Sequence, residues 1–167
     1  AEFNTGLCEL LYLQKDYDNA LGFARKARNI GLTTNYLRTL NNYWIINIKN
    51  SQKEQDRELL DAALELLEAH SDLTADEQDA LLKQDAQLVD KAVLAIEQTL
   101  TANPSLSNGG DAWARASRLL VKEKRDAKAV EMASKAITGG FREREFLLST
   151  VPLANSAGDK TTARMAA

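Results

Sequence analysis

Few side chains in this sequence have the type and spacing to do chemistry. Arg115, Arg118 and Lys122 fall at i, i+3 and i+7, which places three cations along one helical face. Such a row can hold acidic side chains or a C-terminal carboxylate of a peptide, because a guanidinium meets a carboxylate through two parallel hydrogen bonds. A solvated helix face would carry the same residues. Tyr36, Tyr43 and Trp44 form a second group. Aromatics of this kind anchor interfaces, and at helical spacing they equally fill a core. Arg25, Lys26 and Arg28 are expected to face solvent.

Catalysis has little to draw on. His70 is the only histidine and falls in the last turn of a predicted helix, where the helix dipole favours an imidazolium. Cys8, the only cysteine, sits among Leu7, Leu10 and Leu11 and reads as a small buried apolar group. No histidine neighbours it in sequence to activate it. No Cys/His spacing suits a metal, and Asn108-Gly109-Gly110 lacks the lysine of a phosphate loop. Asp16/Asp18 and Asp76/Glu77/Asp79 lie at turns and helix starts, where capping and solvation explain them. No catalytic, cofactor or metal residue is assigned, and an independent enzyme is not expected.

The elements that must position these residues are helical. The 167 residues are 44% apolar and 27% charged, with only two prolines and eight glycines. That is too few turn residues for a many-stranded sandwich or barrel, and strong helix formers dominate. The net charge of −3 argues against nucleic acid as a partner. No run of about 18 apolar residues is present to insert in a membrane. A lone cysteine forms no internal disulfide and favours a reducing, cytoplasmic setting. Helical sequence starts almost at Ala1 without a methionine, so a piece of a longer chain is expected.

Periodicity predicts helices over about 3–14, 17–30, 34–49 and 57–70. On the first, Phe3, Leu7, Leu10, Leu11 and Tyr12 share a face. Asn50-Ser51-Gln52-Lys53 reads as a loop, and Thr74 with Glu77 as a capping box. Residues 75–101 read as two helices broken near 84–87, or as one long helix. The clearest loop is 103–110. Helices follow over about 111–123, 126–138 and 142–150, the last reaching Ala154 if Pro152 only kinks it, and the tail from Gly158 forms at most a short helix. The β-branched and aromatic run Tyr43–Ile48 lies inside a longer helical period and is not taken as a strand.

The chain also repeats itself. Lys15-Asp16-Tyr17-Asp18-Asn19-Ala20-Leu21 followed by Lys26-Ala27 matches Arg125-Asp126-Ala127-Lys128-Ala129-Val130 followed by Lys135-Ala136. Weaker echoes begin at Asp61-Ala62 and Lys91-Ala92. Ala20, Ala62, Ala92 and Ala129 are spaced about 30 to 42 residues apart. This pattern resembles the tetratricopeptide repeat family. Ala20 and Ala27, and Ala129 and Ala136, match its two small residues; Leu7 and Trp113 match first-helix positions, and Pro104 the closing proline. Cys8 and Ser117 stand where the family has glycine, and Asn4 replaces a tryptophan.

The resemblance implies an all-α fold: a right-handed superhelix (solenoid) of antiparallel helix pairs in one domain over 1–167. Its units fall at about 1–33, 34–73, 74–106 and 109–140, with capping helices over 141–167. It implies a concave groove lined by the first helix of each pair. Arg118 and Lys122 would face that groove, with Arg115 on the same helix, and the first unit would add Glu2, Thr5, Glu9 and Tyr12. The expected function is a scaffold or adaptor that binds a partner protein or peptide, one bearing acidic groups being suited to the cations. The alternative is an accessory helical domain of a larger enzyme or assembly. Glu9 would repel a carboxylate, so the family's lysine-asparagine clamp on chaperone tails is not reproduced.

Overall fold

A computed structural model describes all residues, Ala1–Ala167. Its regular elements are ten α-helices: α1 Glu2–Leu13, α2 Tyr17–Ile30, α3 Asn35–Gln52, α4 Arg57–Ser71, α5 Ala75–Gln84, α6 Leu88–Ala102, α7 Asp111–Lys122, α8 Asp126–Thr138, α9 Arg144–Ser156 and α10 Lys160–Ala166. Two single 3₁₀ turns, Pro104–Leu106 and Asn108–Gly110, separate α6 from α7. No strand forms, and Tyr43–Ile48 lies wholly within α3.

Local chemistry starts many of these helices. The side chains of Asp16, Thr34, Asp56 and Asp159 accept backbone N–H groups at the starts of α2, α3, α4 and α10. At α5 the capping box is reciprocal: Glu77 N–H donates to Thr74 Oγ1 at 3.3 Å, and Thr74 N–H donates to Glu77 Oε2 at 3.0 Å.

One turn geometry recurs between paired helices. Lys15, Lys53, Lys124 and Gly158 sit at φ of 62°, 57°, 58° and 76° between α1/α2, α3/α4, α7/α8 and α9/α10. Around each, the same two hydrogen bonds close the ended helix. Asp16 N–H reaches Leu11 O, Glu54 N–H reaches Lys49 O, Arg125 N–H reaches Leu120 O and Asp159 N–H reaches Ala154 O, all at 2.9 to 3.0 Å. Four helical hairpins are therefore made by one device. Aligning the first and third of these on Lys15 and Lys124 sets Ala20 against Ala129 and Ala27 against Ala136, all fully buried.

The chain forms two compact units, Ala1–Asn103 and Pro104–Ala167. In the first, the α1/α2 hairpin packs on the α3/α4 hairpin through α2 against α3 and α1 against α3, and α6 covers α4 and α3. Helix α3 is the centre of this unit: every residue from Asn41 to Lys49 is buried. In the second, α7 packs with α8 and α9 with α10, while α8 touches both α9 and α10. Its core is Ala114, Ala133, Ala136, Ile137, Phe146 and Ala166, walled by Trp113, Phe141, Leu147 and Val151. Small side chains bring the helices close here. A Cβ on Gly110, at φ +85°, would stand 2.3 Å from Ala136 O.

Three details differ from the sequence reading. Residues 50–52 are helical, because Lys53 rather than Asn50 supplies the left-handed stop, and Ser51 Oγ bonds back to Asn47 O at 2.9 Å. Helix α9 starts at Arg144 and runs through Pro152 to Ser156. Arg142 lies outside it and donates to Ile137 O at 2.5 Å, at the end of α8. On α1 the buried positions are Thr5 and Cys8, while Phe3 is 76% and Leu10 56% exposed. The main neighbours of α1 are α2 and α3, so the Phe3/Leu10 side of its apolar face stays uncovered.

Candidate functional site

Each unit contains a groove between the first helices of its two hairpins. In the first unit, Glu2, Thr5, Gly6 and Glu9 of α1 face Thr34, Tyr36, Leu37 and Leu40 at the start of α3, around a groove of about 350 Å³. The helices run parallel along it. Thr5 Oγ1 donates to Asn41 Oδ1 at 3.4 Å near one end, and Tyr12 meets Trp44 with ring centroids 5.3 Å apart further along. Thus Glu2, Thr5 and Glu9 do share a groove. Tyr12 continues the same face of α1 and joins an aromatic cluster with Tyr17 at 5.6 Å and Trp44, which in turn stacks edge-on with Tyr43 at 4.9 Å. Tyr43 and Trp44 are core residues at 7% and 5% exposure, whereas Tyr36 remains half-buried on the groove wall. The Trp44 indole N–H is buried without an acceptor in the protein.

In the second unit, Ser117, Arg118 and Val121 of α7 face Phe146, Ser149, Thr150 and Leu153 of α9 around a groove of about 200 Å³. Of the three expected cations, Arg118 lines it; Arg115 and Lys122 are exposed on α7 and do not. Arg118 is engaged within the protein. It pairs with Glu143 at 2.8 Å and lies over the rings of Phe146 at 5.4 Å and Phe141 at 5.9 Å. Under the alignment of the two hairpins on Lys15 and Lys124, Glu9 and Arg118 are equivalent, as are Cys8 and Ser117. Two grooves of the same construction thus carry opposite charges at the same position.

The polar groups that hold α3 explain how the first groove is kept in shape. Asn41, fully buried, donates to Ala24 O at 3.2 Å and so ties α3 to α2. Arg28 is not a solvent-facing cation. It is half-buried and donates to Asn42 Oδ1 at 2.6 Å, with Glu65 of α4 at 3.3 Å, because α3 offers polar atoms where a solvated face was expected. Arg25 is exposed but makes a two-pronged contact with Glu58 at 2.8 and 2.7 Å, and exposed Lys26 lies over the Phe23 ring at 4.6 Å.

Lys49 is the residue that sequence reasoning missed. Its side chain is 3% exposed, and its ammonium meets Glu54 at 2.5 Å, Asp56 at 2.7 Å and Glu58 at 3.2 Å. Burial alone would lower its pKa; the hydrogen bonds it donates to Asp56, Glu54 and Glu58 outweigh that and raise it above the ordinary lysine value. Glu58 is held at about 2, first by Arg25 and then by Lys49, against the burial that pushes it up. The signal was present in sequence as three acids alternating at 54, 56 and 58 just after a lysine in an apolar helix.

A second such knot holds Tyr43 of the aromatic cluster. Tyr43 Oη donates to Asp85 at 2.9 Å, Lys91 pairs with the same carboxylate, and the Lys91 ammonium lies 5.4 Å from the Tyr43 ring centre. Burial raises the Asp85 pKa, but Lys91, the Gln87 N–H and Tyr43 together bring it below the ordinary carboxylate value. Cys8 is fully buried, and burial first, with Glu9 second, pushes its thiol up to about 12. It stays protonated at neutral pH and has no nucleophilic character. No three His, Cys, Asp or Glu side chains are arranged to hold a metal ion. No helix is long and apolar enough to cross a membrane. No family model matches the chain, and neither does any curated protein or solved structure.

Proposed function

We propose that this chain is a protein-interaction module of helical hairpins stacked as tetratricopeptide-like repeats in a right-handed superhelix, binding a partner segment along its first helices without turnover or cofactor. The observation that carries this reading is the recurrence of one groove in both units, α1 against α3 and α7 against α9, each between first helices of successive hairpins. The shared turn at Lys15, Lys53, Lys124 and Gly158 supports the repeat. The apolar walls, half-buried Tyr36, Leu37 and Leu40 in one groove and exposed Val121 with half-buried Leu153 in the other, offer contact area, and the charged residues on the rims offer specificity.

Affinity capture from a lysate, with the chain as bait, tests the reading when run on three forms in parallel. Leu40→Glu blocks the first groove, Arg118→Glu alters the second, and Lys83→Glu changes an exposed cation on α5 outside both. Partners lost with a groove variant and kept with Lys83→Glu support the proposal. Partners kept by both groove variants, or lost equally with all three, overturn it.

A further inference from the structure

We infer that the α1/α3 groove receives a cationic side chain, an arginine or lysine of a partner peptide. The inference rests on the interaction-module reading and adds the chemistry of the guest. The groove's charged lining residues are Glu2 and Glu9, and neither carboxylate is met by a cation of the chain. In the second groove, by contrast, the one charged lining residue, Arg118, is matched in place by Glu143. Leu37, Leu40 and the Tyr36 ring form the opposite wall. A long aliphatic stem would lie on these while its charged head stays with the carboxylates at the rim.

The second unit supplies the template. At the position equivalent to Glu9 stands Arg118, and there the groove is self-satisfied, with a guanidinium between an aromatic face and the Glu143 carboxylate. The first groove presents an aromatic face and two carboxylates without the guanidinium. A guest cation would meet the same two kinds of partner, with the carboxylates on α1 and the aromatic ring on α3. The cations first noticed in the sequence therefore do not define the guest of the α1/α3 groove. An acidic guest there would face Glu2 and Glu9 with no positive charge lining the groove.

The test is selection of a phage-displayed random dodecapeptide library on the full chain, followed by binding titrations of the recovered synthetic peptides by fluorescence anisotropy. The expected peptides share an arginine or lysine. Replacing that residue by citrulline or norleucine, or the chain's Glu9 by Gln, weakens binding by about five- to tenfold, and Glu9→Arg by more. Lys83→Glu, an exposed cation on α5 outside both grooves, leaves it unchanged. Unaltered circular dichroism of the Glu9 variants excludes loss of fold as the cause. Peptides that are acidic or uncharged, or that bind Glu9→Arg as well as the parent, overturn the cationic guest while leaving the interaction module standing. Recovery of no binding peptide at all overturns both.

Discussion

Replacing Lys49 by methionine removes the cation on which Glu54, Asp56 and Glu58 converge, while roughly keeping side-chain length. Breaking a buried ion pair from one side costs about 3 to 5 kcal/mol, because the partner charge is left stranded. Here Glu54 and Asp56 keep 48% and 46% exposure and can rehydrate, and Glu58 retains Arg25. The loss at pH 7 is therefore set at about 2 to 3 kcal/mol. Its pH dependence follows from Glu58. A carboxylate held at about 2 instead of 4.5 stabilises the fold above pH 4.5, and that stability drains away as pH falls through about 2. Arg25 is the larger cause of that shift and remains in Lys49→Met, so the parent has only somewhat more to lose and the gap between them narrows on acidification, by about 0.5 kcal/mol at pH 3. Urea unfolding followed by Trp44 fluorescence, in a Trp113→Phe background so that only the first unit reports, measures both effects. The reasoning is refuted if Lys49→Met is as stable as the parent at pH 7, or if the gap is as wide at pH 3.

Other consequences are simpler to check. With its thiol buried and held near 12, Cys8 in the native chain reacts with Ellman's reagent at pH 8 only at the rate of unfolding, and reacts at once in urea. Gly110→Ala forces a Cβ against Ala136 O and strains a positive φ, so the second unit loses about 3 kcal/mol, read from urea unfolding by Trp113 fluorescence in a Trp44→Phe background. The repeated turn predicts opposite signs at equivalent places. Lys124→Gly relieves a left-handed lysine and is neutral to stabilising by about 1 kcal/mol, whereas Gly158→Ala introduces that strain and destabilises by about 1 kcal/mol in the same assay.

Much of the fold was legible because its signals are local. Caps at Asp16, Thr34, Asp56 and Thr74 act within one turn, so sequence alone places the starts of α2 to α5. The repeated Ala20/Ala27 and Ala129/Ala136 spacing reflects helices that must approach closely, and all four alanines are fully buried. What sequence does not carry is which face of a helix meets a neighbour. The apolar row Phe3, Leu7, Leu10 looks like a core face, yet Thr5 and Cys8 are the buried side, because α2 and α3 lie there. The polar interior of α3 was illegible for the same reason. Asn41, Asn42 and Lys49 belong inside only because Ala24 O, Arg28 and the turn acids 54, 56 and 58 arrive from other segments.

The groove residues divide along the same line. Glu2, Thr5, Glu9 and Tyr12 were grouped through the repeat resemblance; the first three line the groove and Tyr12 does not, and the opposing wall of Tyr36, Leu37 and Leu40 depends on how two hairpins stack. Arg118 was singled out for its spacing with Arg115 and Lys122, but its partners Glu143 and Phe146 come from beyond α8 and turn it inward on its own unit.

The most direct test of contact through the first helices is hydroxyl-radical footprinting of the chain, free and bound to a captured partner. Tyr36, Leu37 and Leu40 are predicted to lose reactivity in the complex, while the exposed Ile30 and Leu82 on other helices keep theirs. Unchanged reactivity at the first three, with protection at Ile30 or Leu82, would place the partner elsewhere and contradict the account.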